Sequence, residues 1–501
     1  MQTHRYILFF ILLAGALIPG CSKQLDIKPE VFVSPEELYK DEAGITAGIT
    51  GIYRQLLVLK RSDYAVVGMV GTDEAKMTIF VPTWGPYWQG FAAVNSYSPL
   101  LTAQNDVVQG FWINCYKGIN NANIAIKYTQ QASVNEDFKM RALGEAKFMR
   151  ALFYFYLVQL YDGVPMPTDA DNPDAVRDGY PRSTAEAVYQ LVIADLQYAA
   201  EHLNSKGDNG IDPGHATKEA ATALLGKVYL TRKAYDLAKS TLEPLLSSSK
   251  TSLMPAYADL FVEKNENNIE SLFEVQFSNE PDNTSNMANN TGAWQINSPG
   301  LSGAGGHVII PTDYFFNSFE DSDLRKDATF RTVFYDANGN LVDYSWWADV
   351  GKPHVKKFDI TKGVSVSGSL SSRNMYYLRL ADVILMYAEA ANELNDVTTA
   401  LANLNKIRQR AGLGKWEDVR GGIPSQDELR TEIMMERMRE LGFEGWRWFD
   451  LKRTGTLLNT VKANNPDAAP NIQSRHLLYP IPAKEFENNP KLTPKDQNEG
   501  Y

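Results

Sequence analysis

The densest group of side chains with chemical potential lies near the C-terminus, between residues 436 and 453. Glu436 and Glu440 are four residues apart, a spacing that places both carboxylates on one face of a helix. A glycosidase needs two carboxylates about 5–9 Å apart, one of them with a raised pKa. Arginines at positions 437, 439, 447 and 453 favour ionised carboxylates instead. We therefore expect a buried ion-pair network that locks the last helices, and not a catalytic pair.

Aromatic side chains point to a second kind of chemistry, the stacking of a flat ring on a ligand. Residues 84–89 read Trp-Gly-Pro-Tyr-Trp-Gln, and the prolines and glycine in and before this stretch interrupt any helical or strand period. The rings therefore cannot all face one core, and we expect ligand contact here, with ordinary packing under a loop as the alternative. The candidate contacts are Trp84, Tyr87 and Trp88, with Asp73 and Lys76 as upstream polar partners.

Two later segments also place aromatic residues in stretches without a core-facing period. Trp294 lies in a loop rich in Asn, Ser and Gly. Tyr344, Trp346 and Trp347 follow a predicted β-hairpin whose turn is the Asn-Gly pair at 338–339. Neighbouring residues on a strand point to opposite faces, so we expect at least one of the two adjacent tryptophans to face a ligand.

Other residues of these types have a structural interpretation. Trp112, Trp446 and Trp448 lie in helical motifs beside apolar residues, and we expect them in the core. Cys115 lies in an apolar helical run and is expected to be a small buried hydrophobe. His307 follows two glycines and is expected to be an ordinary loop histidine.

The sequence predicts no metal and no cofactor. Residues 336–340 resemble part of a calcium loop but lack the glycine at its sixth position and the glutamate at its twelfth. Motifs for nucleotide binding, zinc proteases, serine hydrolases and dithiol chemistry are absent from the sequence.

The N-terminus has the features of a targeting signal. Residues 1–20 have a short basic start and an apolar run at 6–18, as in a secretory signal peptide. An apolar residue and small residues then precede Cys21, the pattern of a bacterial lipobox, so we expect Cys21 to be acylated and residues 21–34 to be a tether. The alternative is an ordinary secretory signal. No other stretch of about 18 or more apolar residues follows, so nothing else is expected to span a bilayer.

The charge balance excludes one class of partner. The chain of 501 residues has a formal net charge of −11, which makes binding to DNA or RNA unfavourable. Two cysteines exclude a scaffold stapled by several disulfides.

Helical patterning predicts a single body over residues 35–501, dominated by α-helices. Apolar residues at helical spacing mark 106–130 and 139–161. Residues 217–246 and 379–412 each read as a tetratricopeptide-like helix pair, so we expect degenerate repeats over about 105–250 and 376–412. Two stretches, 68–104 and 279–371, do not fit helices, and we expect them to form a loop-rich ligand face with short β-hairpins.

Several of these strings resemble the SusD/RagB family of Bacteroidota outer-membrane lipoproteins. The string Glu-Arg-x-x-Glu-Leu-x-Phe-Glu-Gly-x-Arg-x-Phe-Asp-Leu-x-Arg at 436–453 is long and specific. The resemblance covers nearly all of the chain after the signal peptide. Its other parts are residues 111–123, 144–165 and 376–412, the Leu-Tyr-Pro-Ile-Pro at 478–482 and the Gln-Asn-Glu-Gly-Tyr at 497–501 within a C-terminal motif region 430–501.

The resemblance implies a function and a set of partners. It implies a cell-surface lipoprotein, lipid-anchored in the outer membrane, which captures an oligosaccharide or polysaccharide beside a SusC-like TonB-dependent transporter. It also implies that part of the binding site lies near residues 84–88. Three alternatives stay open: a peptide-binding member of the same family, a glycoside hydrolase, and a scaffold of the transporter that binds no substrate.

Overall fold

The computed structural model describes residues 33–61, 66–78, 81–167, 177–208, 213–292, 306–334, 340–341, 353–359 and 370–501. Most of this part of the chain is helical. The α-helices in chain order are α1 (Pro35–Leu38), α2 (Glu42–Arg61), α3 (Pro86–Ser96), α4 (Asp106–Gln131), α5 (Glu136–Tyr161), α6 (Ala185–His202), α7 (Lys218–Thr231), α8 (Tyr235–Leu246), α9 (Met287–Thr291), α10 (Asp313–Asn317), α11 (Leu324–Thr329), α12 (Leu380–Glu393), α13 (Val397–Arg410), α14 (Trp416–Arg420), α15 (Gln426–Leu441), α16 (Arg447–Arg453), α17 (Leu457–Asn464) and α18 (Ala483–Asn488).

Short strands pair segments that are distant in the sequence. The strands are β1 (Ala75–Met77), β2 (Ser271–Val275), β3 (Ile309–Pro311), β4 (Phe330–Arg331), β5 (His354–Val355) and β6 (Met375–Arg379). They form three antiparallel two-stranded sheets, β1 with β3, β2 with β6, and β4 with β5. The β1–β3 sheet therefore joins the two loop-rich segments to each other, β4–β5 lies within the second segment, and β2–β6 pairs the strands on either side of that segment.

The helices form the expected repeats. Neighbours in the sequence pack on each other from α4 through α8, and α8 packs on α12, which joins the N-terminal repeats to the α12–α13 pair. The small residue Gly226 permits close packing, because a Cβ there would lie 2.3 Å from the Leu242 side chain. This confirms the prediction of an all-α-dominated scaffold with tetratricopeptide-like pairs.

The two predicted helix pairs share a turn geometry. The α7–α8 turn passes through Lys233 at φ 60°, and the α12–α13 turn passes through Asn395 at φ 61°. In each turn the next residue donates its N–H five residues back, Ala234 to Tyr229 and Asp396 to Ala391, both at 2.9 Å. The same hydrogen bond also follows α13 at Leu413 and α16 at Thr456, so it is a common helix end and does not by itself mark a repeat.

The prediction of no helix in residues 68–104 is wrong. Residues 81–84 form a 3₁₀ turn, and α3 begins immediately afterwards, with Pro86 in its first turn. Proline is favoured there because its φ suits a helix and its missing N–H would have no helical partner. The proline that signals a break in the sequence therefore starts a helix. Residues 279–371 also differ from expectation, since they contain the short helices α9, α10 and α11.

Several core predictions are confirmed. Trp112, Trp446 and Trp448 are 2%, 5% and 2% exposed, and Cys115 is fully buried. The hairpin expected around 338–339 lies outside the described residues, as does Cys21 with the signal peptide. Within the described residues, no helix has the length and apolar character needed to cross a membrane.

Candidate functional site

The charged motif at 436–453 forms a buried network. Arg379, at the end of β6, bridges three carboxylates: Nη1 lies 2.9 Å from Glu270 Oε1 and also contacts Glu440, and Nη2 lies 2.9 Å from Glu444 Oε1. Arg410 also pairs with Glu270 and Glu440. These side chains are almost fully inaccessible to solvent. The network therefore ties α13 and α15 to the β2–β6 sheet.

Neighbouring arginines hold two acids of the motif, Glu440 and Asp450, ionised. Burial alone would raise the pKa of Glu440, but Arg410, Arg379 and Arg325 outweigh burial and hold that pKa well below its usual range. Burial likewise opposes ionisation of Asp450, and its neighbours Arg437 and Arg453 hold the pKa low. Neither carboxyl is a proton donor near neutral pH. The structural interpretation of this motif agrees with its geometry.

Asp73 does not lie where a ligand could reach it. Its carboxylate is 0% exposed and accepts from Arg447 Nε at 2.8 Å and Nη2 at 2.6 Å. The expected ligand contact by Asp73 is therefore corrected to an ion pair that fastens the segment before β1 to α16. Lys76 is also largely buried, and its Nζ lies 3.0 Å from Asp467 Oδ2. Its charge is engaged within the protein.

The first aromatic candidates form one surface feature, which we name the aromatic ridge: Trp84, Tyr87 and Trp88. The Trp84 and Trp88 ring centroids are 5.4 Å apart with planes at 88°, and those of Tyr87 and Trp88 are 5.6 Å apart at 80°. Tyr87 is 45% exposed, whereas Trp84 and Trp88 are half-buried and pack on the core. The buried ring of Phe91 lies 5.1 Å from Tyr87 and 5.8 Å from Trp88.

The ridge has a fixed position relative to β1. The side chain of Asn95, on α3, accepts from the backbone N–H of Met77 at 3.0 Å. The ridge thus presents aromatic edges and faces to solvent from a helix bound to the β1–β3 sheet. The other aromatic candidates, Trp294, Tyr344, Trp346 and Trp347, lie outside the described residues.

The stems of the three aromatic segments converge, which sequence reasoning missed. We name Thr78, Gly292, His307, Phe334 and His354 the loop-stem cluster. The Thr78 hydroxyl donates to the His307 carbonyl at 2.8 Å, and the His307 N–H donates to the Gly292 carbonyl at 3.0 Å. His354 Nε2 lies 2.7 Å from His307 Nδ1, and the His354 and Phe334 rings are 5.2 Å apart.

The cluster brings together residues that flank all three candidate segments. Thr78 precedes the ridge, Gly292 and His307 flank 293–306, and Phe334 and His354 flank 335–353. His307 and His354 are 1% and 0% exposed, so His307 is a buried connector rather than an ordinary surface-loop residue. The short contact between their rings needs one nitrogen to donate and the other to accept. No local sequence signal identifies this pair, because the two residues are 47 positions apart.

A metal centre has no support in the described part of the chain. No group of three or more His, Cys, Asp or Glu side chains there is arranged to hold an ion.

Comparisons with known proteins agree with this architecture. A family model described as the SusD family matches residues 269–501, and one described as starch-binding associating with outer membrane matches residues 84–230. SusD-like protein P2 of Formosa agariphila is 28% identical over 529 aligned positions, which cover 99% of this chain and 100% of that protein.

Solved structures share the fold over nearly the whole chain. A SusD homologue from Bacteroides thetaiotaomicron has a TM-score of 0.80 at 23% identity, and the match covers 93% of this chain and 98% of that one. A laminarin-binding SusD-like protein has a TM-score of 0.78 at 25% identity, covering 92% of this chain and 100% of the other.

Proposed function

This chain belongs to the SusD/RagB family of proteins associated with the outer membrane, and on that premise we propose that it binds a glycan and delivers it to a transporter. The observation that carries the proposal is the aromatic ridge, held beside the loop-stem cluster. The laminarin-binding neighbour, which matches over almost all of this chain, supports the choice of a glycan.

The ridge has the chemistry that a sugar needs. A pyranose ring has an apolar face of C–H groups and a rim of hydroxyls, so it stacks on an aromatic ring and accepts polar contacts around its edge. Trp84, Tyr87 and Trp88 offer ring surface in more than one plane, because their neighbouring rings meet nearly at right angles. We propose that Trp294, Tyr344, Trp346 and Trp347 add further contacts.

The mechanism is capture without covalent chemistry. The ion-pair network and the helical repeats provide a rigid body, and the loop-bearing side presents the ridge. A SusC-like TonB-dependent transporter receives the glycan, and this protein docks on it as a lid. Acylated Cys21 anchors the chain at the cell surface, and this tether raises the local concentration for docking. Import that continues normally in a strain without the transporter would contradict the delivery step.

Replacing Trp88 by alanine tests the binding step. We expect Trp88→Ala to weaken glycan binding about tenfold or more, because it removes a central ring of the ridge; tenfold corresponds to about 1.4 kcal/mol. The measurement is affinity electrophoresis of a soluble form starting at Ser22, in gels containing laminarin and other neutral plant, fungal and host polysaccharides. Trp416→Ala, a half-buried tryptophan on α14 outside the ridge, is the matched control.

The outcomes separate the proposed function from its rivals. Retardation in one glycan that Trp88→Ala loses and Trp416→Ala keeps supports glycan capture. Binding to oligopeptides without any glycan retardation would favour a peptide-binding protein. New reducing ends released from the polysaccharide would favour a hydrolase. Unchanged import after removal of the ridge aromatics would favour a scaffold.

Replacing His354 by alanine tests whether the loop-stem cluster supports the ligand site. We expect His354→Ala to weaken glycan binding about fivefold, because it removes the contact that joins the stems at His307. Calorimetry with the glycan found in the gels measures the change. His476→Ala, which removes another fully buried histidine outside the cluster, is the control for general loss of stability. Equal losses of affinity in both variants would contradict a specific role for the cluster.

A further inference from the structure

A second concave surface lies apart from the ridge and the loop-stem cluster. Three adjoining clefts, of about 510, 220 and 210 Å³, meet at His215. Their walls come from α2, α5, the segment before α7, and β2 with the residues that follow it. None of the residues that line them belongs to the ridge or the cluster. We name this surface the His215 cleft.

The centre of the cleft is held by hydrogen bonds. Glu145 Oε2 lies 2.6 Å from His215 Nδ1 and accepts from the Tyr53 hydroxyl at 2.7 Å. The same hydroxyl accepts from the backbone N–H of Ala216 at 2.8 Å, and the Tyr53 and His215 rings lie 5.0 Å apart. Three elements, α2, α5 and the segment before α7, thus fix one polar centre before any ligand arrives.

Two arginines flank this centre. Arg54, exposed on α2, lines the largest of the three clefts together with His215. Arg141, half-exposed on α5, lines another of the clefts that His215 also lines. Within the described residues, neither guanidinium forms an ion pair or a side-chain hydrogen bond. They differ in this respect from the arginines of the buried network, which all form ion pairs. The whole chain has a net charge of −11.

The acidic side chains of the cleft have partners other than these two arginines. Glu145 is engaged by Tyr53 and His215. Asp208 pairs with Lys250. Glu274 accepts from the Asn267 N–H at 3.0 Å, and burial raises the pKa of its carboxyl. The lysine of the lining, Lys206, donates its ammonium to the Asn268 and Ser271 carbonyls. The cations and carboxylates of the lining therefore balance formally, and the two arginines are the charges left available to a ligand.

We propose that the His215 cleft binds an anionic group, a carboxylate or a sulfate, carried on the hydroxyl-rich chain that the protein captures. Arg54 and Arg141 donate charge-assisted hydrogen bonds to the anionic group. The ordered Tyr53–Glu145–His215 centre forms hydrogen bonds with the neighbouring hydroxyls of the sugar. The inference rests on the proposed function, since it adds an acidic-sugar site to the same ligand. The glycan then contacts the ridge through ring faces and the cleft through its charge.

The test compares chains that differ only in charge. The probes are polygalacturonate against its methyl ester, and dextran sulfate against dextran, in affinity gels and calorimetry at two salt concentrations. We expect Arg54→Gln and Arg141→Gln each to weaken binding of at least one anionic polymer about tenfold, because each removes a charge-assisted contact. Arg420→Gln, which removes an exposed charge on α14, is the matched control and is expected to keep full affinity.

Each result bears on the inference separately from the proposed function. Equal binding of the charged and uncharged polysaccharides would contradict the proposed anion site. Equal losses of affinity in Arg54→Gln and Arg420→Gln would contradict it as well. So would anionic binding that only Trp88→Ala removes, because the ridge would then be the sole site. Competition by sodium sulfate or acetate at constant ionic strength identifies a small-anion site and also overturns the glycan assignment. Neutral glycan binding that depends on Trp88 would leave the proposed function standing in every case.

Discussion

Replacing Arg379 by methionine is expected to lower the free energy of unfolding by about 3–5 kcal/mol, the largest effect of any single substitution considered for this protein. Methionine fills much of the volume but removes the one cation that contacts Glu270, Glu440 and Glu444 together. Arg410 still contacts the first two and Lys357 the third, so the buried acids lose one of their compensating charges and not every partner. Arg379 is fully buried, so water cannot reach the carboxylates to solvate them in its place. A buried charge stripped of its partner costs far more than an exposed pair contributes.

Chemical denaturation of Arg379→Met beside a control variant measures the change in the free energy of unfolding. Arg430→Met is the control, because Arg430 also bridges two carboxylates, Glu393 and Asp427, but its side chain is 39% exposed. We expect that variant to lose at most about 1 kcal/mol. Similar decreases in the free energy of unfolding in both variants would show that burial does not determine how much the network stabilises the protein.

Replacing Glu74 by glutamine is expected to change the pH dependence of stability. Glu74 is 2% exposed, and its Oε1 accepts from the backbone N–H of Phe443 at 2.8 Å. Burial raises its pKa from 4.5 to about 8, although the hydrogen bond and Arg447 act in the opposite direction. The folded protein therefore holds a proton on Glu74 at pH values where the unfolded chain has released it.

The sign follows from proton linkage. A raised folded-state pKa contributes stability that is complete below about pH 4.5 and is lost as pH rises through about 8. Glutamine keeps the acceptor and does not titrate. Between about pH 5 and 8, the variant's free energy of unfolding should therefore rise relative to wild type by up to about 1.4 kcal/mol per pH unit.

Denaturation curves at several pH values provide the measurement. Burial lowers the pKa of His476 to about 4, so the free energy of unfolding rises with pH in the acidic range for wild type and variant alike. The effect of Glu74 is therefore read from the difference between the two profiles. Glu499→Gln, which removes an exposed carboxyl, should give a profile parallel to wild type above pH 6. Parallel profiles for Glu74→Gln would contradict a protonated Glu74.

The helical scaffold could be predicted because its signals are local. Apolar residues at helical spacing mark α4 and α5, and the small residues of the α7–α8 pair reveal a tight crossing before any coordinates are known. The charge motif at 436–453 was also readable, because arginines and acids alternate within one stretch. Its distant partners, Glu270 and Arg379, were not predicted from that motif alone.

The candidate site was less accessible to such reasoning. Pro86 suggests a break in helical structure, although a proline followed by ten residues free of further proline can equally begin a helix. The sequence near the aromatic stretch predicts Asp73 as a ligand contact, whereas its ion-pair partner Arg447 lies 374 positions away in the chain. The pairing of His307 with His354 depends on the β1–β3 and β4–β5 sheets. Contacts made through tertiary structure leave little trace in neighbouring residues.

The loop-stem cluster has a consequence for how such proteins diverge. Thr78, His307 and His354 join the bases of three segments to one another, and not only to the helical body. Exchanging one segment together with its base would remove contacts that the bases of the other two segments use. A chimera that is to keep these contacts should therefore exchange the three segments with their shared base as one unit, and not any single loop.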